Sequence, residues 1–370
     1  MNTRNLVCAA ILSAVSLNVN SAANTFMAGN YDHSVLVTNG LLSLAGDNNY
    51  GRLSLPVKQF YSKFTAFDSN VRAVSAAQGR TAYIKTNGDL FWFGWKAPSP
   101  TPPAMKTQLA YNAVDVALTN YDIFYISENQ VWDFNPQTNT LKTLALNENP
   151  IELAAGSNHL VVRTDTGNVY TFGTNNKGQL CNGNTTSATS LIMVNTNVAS
   201  IEAGGSGGNA TFMVTSTGNV QMCGDNMYGL LGTKSATPPA TVNVPTNISG
   251  ATNIKKVAAE KTVSSLFMLN NNGAVSMIGF HDCWDYMQKP KTNFCPGAMN
   301  SSNYLVPLVM SNQIVDIGTG GDSIFLKDVY GNVLAFGGNT AYKLGDGTTT
   351  ERHGPVAITI PAVTAVCDGY

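Results

Sequence analysis

Side chains that commonly carry chemistry are sparse in this sequence and do not cluster. Its four histidines, His33, His159, His281 and His353, are scattered and form no H-x-x-x-H pair. There is no nucleophile-elbow serine and no phosphate-cradling lysine loop. Both His33 and His159 are read as structural. The run Asp346-Gly347-Thr348-Thr349-Thr350-Glu351 carries two carboxylates but lacks the ligand spacing of a calcium loop. Of the six cysteines, Cys283 and Cys295 share one segment whose spacing fits no zinc signature, so they are expected to pair as a loop staple. The pairing of Cys181, Cys223 and Cys367 stays open. No catalytic residue, metal site or cofactor is expected. One enzymatic alternative stands: a carbohydrate-active hydrolase or lyase whose carboxylates are assembled from distant loops at a channel mouth.

The composition indicates what kind of elements must position any site. Only 12% of the 370 residues are charged, with 21 Lys+Arg against 22 Asp+Glu, while Asn numbers 41 and Gly 34. Asn and Gly tolerate positive φ and are poor in helix interiors, so the sequence calls for short strands and tight turns. A net charge of −1 without a basic run lacks the electrostatic footprint of a nucleic-acid binder. Disorder is disfavoured by a hydrophobic share of 44%. Residues 1–23 read as a secretory signal peptide: Arg4, an apolar stretch from Leu6 to about Val19, then Ser21-Ala22-Ala23 as a cleavage site. That stretch and all later ones are too short to span a membrane. Residues 24–370 are therefore expected to be secreted or periplasmic and to form one domain.

The single-domain reading rests on an internal repeat. A Gly followed six residues later by another recurs as Gly40/Gly46, Gly88/Gly94, Gly167/Gly173, Gly218/Gly224, Gly273/Gly279 and Gly331/Gly337. A seventh copy has Asn129/Asn135, with Asn expected to supply the left-handed backbone in place of Gly. In the copy from Ala154 to Leu180, an apolar run Leu160-Val161-Val162 is a strand, Asp165-Thr166-Gly167 a hairpin turn, and Asn168 to Phe172 the partner strand. Seven such units of about 40 to 50 residues predict an all-β, seven-bladed β-propeller of four-stranded antiparallel blades.

The stretch Gly167-Asn168-Val169-Tyr170-Thr171-Phe172-Gly173-Thr174-Asn175-Asn176-Lys177-Gly178-Gln179-Leu180 resembles the repeat of the regulator of chromosome condensation family, in its secreted bacterial type. Ala45 to Leu53, Gly218 to Gly232 and Gly331 to Gly347 are similar to it, whereas the third copy lacks its glycines and the sixth leaves the pattern after Gly279. The resemblance implies a seven-bladed propeller and a non-enzymatic role. Members of that family act as exchange factors for small GTPases, as chromatin binders or, among secreted bacterial relatives, as β-lactamase inhibitors. The tail from Val363 to Gly369 looks like the start of an eighth copy, so the ring is expected to be closed by N- and C-terminal strands.

Equivalent propeller loops converge on one face, which makes Tyr50, Trp95, Tyr228 and Tyr342 candidates for an aromatic binding surface, with packing between blades as the alternative. Trp284, Tyr286 and Met287 join them from an insertion at 280–307, where a stapled aromatic loop suits an interface anchor. The Pro-rich run from Pro98 to Pro103 is read as a stiff connector between copies two and three. Together these features predict a secreted binding scaffold whose loop face engages another macromolecule, in first place a protein. A cell-surface adhesion or envelope module is the further alternative. Oligomeric state and partner identity stay open.

Overall fold

The computed structural model describes residues 26–30, 32–49, 52–55, 59–94, 106–205, 207–233, 239–261, 265–279 and 302–362. Twenty-eight strands form seven four-stranded antiparallel sheets, each built from four consecutive strands. The blades run over residues 27–68, 71–110, 113–144, 150–195, 198–247, 254–307 and 314–358. First strands of neighbouring blades touch all the way round, Met27–Asn30 against Ile314–Thr319 included, so these strands line the axis and the ring is closed. The molecule is a seven-bladed all-β propeller.

The turns explain the repeat. All seven first anchors sit in hairpin turns at positive φ, from 58° at Asn129 to 90° at Gly88, and Asn129 thus takes the conformation expected of it. Its partner Asn135 does not. That residue is absent from the positive-φ positions; its Oδ1 accepts the N–H groups of Gln137 and Thr138 at 3.0 and 3.1 Å, and its Nδ2 donates to Asp122 at 2.7 Å. In blade 3 a side-chain-capped turn follows directly, so Asn135 serves as a cap and not as a left-handed hinge.

Hydrophobic burial lies between blades. Seven apolar clusters occur among the described residues, and each joins two adjacent blades. A blade therefore buries its faces only when both neighbours are present.

The ring is closed where the N-terminal strand Met27–Asn30 meets Ile314–Thr319 of the C-terminal blade. The first and last blades each take all four strands from their own stretch of chain, and residues 363–370 lie outside the described residues. Among the described residues the seam is held by side chains and short contacts. Phe26, Met27, Leu36 and Phe64 share a core with Phe325, Leu344 and Ile358. Phe64 meets Phe325 edge-on at 6.0 Å, Lys63 bridges to Asp346, and the Gly347 N–H donates to the Ser62 carbonyl at 2.8 Å.

Two more boundaries are corrected. Ser302–Pro307 is the outermost strand of blade 6, paired with Val275–Gly279, so the insertion ends before it. The Pro-rich run lies between the third and fourth strands of blade 2, Leu90–Gly94 and Thr107–Ala110, within one blade and not between two.

Candidate functional site

In a four-stranded antiparallel blade, the connection from first to second strand and that from third to fourth leave at the same end. In a ring they define one face, called here the loop face. Four blades build their third-to-fourth connection around a single asparagine. Asn48, Asn175, Asn226 and Asn339 accept through Oδ1 the N–H five residues on, at Leu53, Leu180, Leu231 and Leu344, at 2.8–3.0 Å. Their Nδ2 atoms reach forward to the carbonyls of Leu55, Thr186, Pro239 and Thr350 at 2.8–3.1 Å. The amide thus stands in for absent ladder bonds on both sides of the loop, satisfying buried backbone groups that no strand can reach. This role was missed in the sequence, although the recurring Asn after each second Gly was its signal.

The residue after each of those leucines takes positive φ: Ser54 at 51°, Cys181 at 59°, Gly232 at 66° and Gly345 at 67°. In blade 4 this turn aims Cys181 at the neighbouring blade, where it forms a disulfide with Cys223. Both residues are buried, at 3% and 0% exposure.

Histidines latch adjacent blades. His159 Nε2 lies 2.9 Å from Thr211 Oγ1 of blade 5, and His33 Nε2 lies 3.3 Å from Thr81 Oγ1 of blade 2. The two pair opposite equivalent glycines, Gly173 and Gly46, so they occupy the same strand position despite unequal loops before them. Burial pushes His33 down to about 4 and His159 to about 3, so both are neutral. Relative to 6.5 in the unfolded chain, their stabilisation is complete above pH 6.5 and is lost as pH falls towards 4 and 3, at about 1.4 kcal/mol per pH unit per histidine.

Two carboxyls act with the opposite sign. Asp115 and Glu202 are pushed by burial up to about 7, so the folded state gains stability as pH falls from 7 towards their ordinary range. Between about pH 6.5 and 4.5 the two pairs act against each other, so the carboxyls offset the loss at the histidines. His159→Gln unbalances the sum, and its urea midpoint should rise on acidification through that window. A variant that keeps the wild-type profile would count against this assignment.

The predicted aromatic surface is only partly within the described residues. Tyr50, Trp95, Trp284, Tyr286 and Met287, and the pair Cys283 and Cys295, lie outside them. Tyr228 and Tyr342 both stand on the loop face, in blades 5 and 7, on either side of the blade in which Gly279 and Ser302 bound the insertion. Tyr342 packs between blades, its ring 5.8 Å from Phe60 of blade 1. Tyr228 is 39% exposed and follows Met227 at 59%, both presented by the turn that Asn226 organises; Tyr121 on the same face is 53% exposed.

A cavity of about 310 Å³ runs along the axis, lined by the first strands of all seven blades. Two of the acids near it have structural bonds. Asp115 of blade 3 accepts the Leu153 N–H of blade 4 at 2.8 Å. Glu152 of blade 4 accepts the Ile201 N–H of blade 5 at 3.3 Å and pairs with Arg163 at 2.5 Å. Each fills a donor on the next inner strand. Burial raises Glu152, with Arg163 opposing. Groups capable of holding a metal ion, three or more of His, Cys, Asp or Glu, do not occur among the described residues.

Seven blades, four of them keyed by an asparagine loop and two pairs of them latched by a histidine, define a repeat propeller. Residues 151–179 match the family model of the regulator of chromosome condensation (RCC1) repeat. The human X-linked retinitis pigmentosa GTPase regulator is 35% identical over 108 residues, 28% of this chain and 10% of that protein; the mouse protein is 40% identical over 91 residues, 24% and 9%. The chain spans about a tenth of the length of these curated relatives. Among solved structures, yeast RCC1 (Prp20) bound to Kap60 superposes with a TM-score of 0.74 at 13% identity, covering 98% of this chain and 92% of that one. Human WBSCR16 gives 0.69 at 16%, covering 83% and 87%. Residues 151–179 thus carry a regulator of chromosome condensation repeat, and the chain as a whole shares the fold of these propellers.

Proposed function

We propose that this protein is an exported, non-enzymatic binding scaffold whose loop face engages a protein partner. The observation that carries this reading is the turn at Asn226, which fixes the backbone and leaves Met227 and Tyr228 exposed at 59% and 39%. Large side chains on a preorganised loop give contact area at low entropic cost. Structural neighbours include propellers bound to Kap60 or described for binding Gsp1p and histones. The hydrolase reading is disfavoured because Asp115 and Glu152 are committed to backbone donors and Arg163. Export is supported by the signal-like residues 1–23 and by the disulfide, which persists in oxidising compartments. Among the described residues no helix is long and apolar enough to cross a membrane.

The test is affinity capture from periplasm and medium with residues 24–370, followed by titration of the captured protein. Met227→Ala with Tyr228→Ala is expected to weaken that partner about tenfold or more, as is Trp284→Ala with Tyr286→Ala if the insertion shares the interface. Retention of every partner by both double variants would overturn the loop-face reading.

A further inference from the structure

The axial cavity contains charges that no ion pair within the described residues neutralises. Its wall is mainly small and apolar, interrupted by Glu152, Arg163, Glu202, Lys255, Lys256 and Lys261. Half of these are neutralised within the protein. Arg163 pairs with Glu152 at 2.5 Å, and Lys256 pairs with Asp316 at 2.5 Å. Glu202, Lys255 and Lys261 form no ion pair within 4.0 Å among the described residues. Glu202 Oε1 accepts the Ala203 N–H at 3.0 Å, which leaves Oε2 to the cavity.

Lys261 extends from blade 6, and its Nζ lies 3.4 Å from the Leu118 carbonyl of blade 3, three blades away across the ring. That long bond uses one of the three donors of an ammonium. Burial lowers the proton affinity of Lys261 and raises that of Glu202, and the opposite charge of each offsets the other's cost only in part. A ligand bringing the complementary charges would remove that cost at both groups.

We propose that the axial channel binds a small zwitterion of the α-amino acid or dipeptide class, its carboxylate held by Lys261 and its ammonium by Glu202. A lone anion or lone cation would complement only one side. The volume, about 310 Å³, is at the small end of ligand cavities and suits such a molecule. The apolar wall, with Val116, Ala117 and Ala154, suits a short aliphatic side chain. This site is independent of the loop-face partner.

The experiment is calorimetric titration of residues 24–370 with L-alanine, L-valine and the dipeptide Ala-Ala, with isovalerate and isobutylamine as probes carrying one charge each. At least one zwitterion is expected to bind, and both single-charge probes to bind at least tenfold more weakly. Lys261→Met and Glu202→Gln should each weaken binding at least tenfold without changing the circular dichroism spectrum. Should Lys261→Met misfold, Lys261→Gln provides the cationic arm of the test. Absence of binding by all three zwitterions, equal binding of a single-charge probe, or wild-type affinity in the folded variants would overturn the proposal.

Discussion

Gly224→Ala is expected to destabilise the propeller by about 3–5 kcal/mol, the sum of positive-φ strain and overpacking against backbone. Gly224 has φ 109°, and a Cβ there would fall 2.2 Å from the Asn209 carbonyl oxygen and 2.7 Å from Ala210 Cα. Neither atom can move alone, because Asn209 closes the loop between the first two strands of blade 5 and its carbonyl accepts the Asp225 N–H at 3.0 Å. The same approach recurs at Gly46, Gly94, Gly173 and Gly337, each with a carbonyl oxygen 2.3–2.6 Å from the added carbon. In these five pairs the second glycine is therefore required by a contact between strands as well as by its own backbone angle. Gly331→Ala is the matched control: φ is 83° but nothing lies within 4 Å of a Cβ, so only the conformational cost of about 1 kcal/mol is expected. Urea unfolding followed by circular dichroism separates the two. Equal costs at 224 and 331 would remove the steric explanation.

Loss of the Cys181–Cys223 disulfide is expected to cost about 4 kcal/mol, the loop-closure entropy of a cross-link spanning some 42 residues. The variant that isolates the cross-link is Cys181→Gly with Cys223→Ala. Position 181 takes φ 59°, and equivalent loops place Gly232 and Gly345 there, so glycine relieves strain and slightly offsets the loss. Blades 4 and 5 share a core containing Val161, Val169, Met213 and both cysteines, so the damage should begin at that interface. Hydrogen exchange is expected to show strands Val169–Gly173 and Ala210–Thr215 opening before those of blades 1 and 2. An unchanged urea midpoint would show that the shared core suffices without the bond.

The two results bear differently on function. Reduction of the disulfide would loosen the turn at 181 and its neighbour without touching Asn226, so partner binding through Met227 and Tyr228 should survive moderate loosening. The channel is more exposed to such damage, because Glu152 and Ile201 are joined across the same blade pair.

What the sequence determined alone was everything imposed locally. A hairpin turn at positive φ accepts Gly or Asn wherever it occurs, so the first anchors marked all seven blades, and the number of copies set the architecture. Requirements between segments left no such mark. Asn135 has the spacing of a left-handed hinge but serves as a cap, because Gln137 and Thr138 present their N–H groups to it. Cys181 and Cys223 carry no pairing signal, since they meet only when one blade's loop reaches the next blade's strand. The side chains that hold the seam, Phe64 against Phe325 among them, come from opposite ends of the chain, which a repeat count does not reveal. Glu202 and Lys261 are 59 positions apart and look unremarkable in the chain. Only the ring turns both towards one axis, because each blade contributes a single strand to it and charge accumulates there one blade at a time.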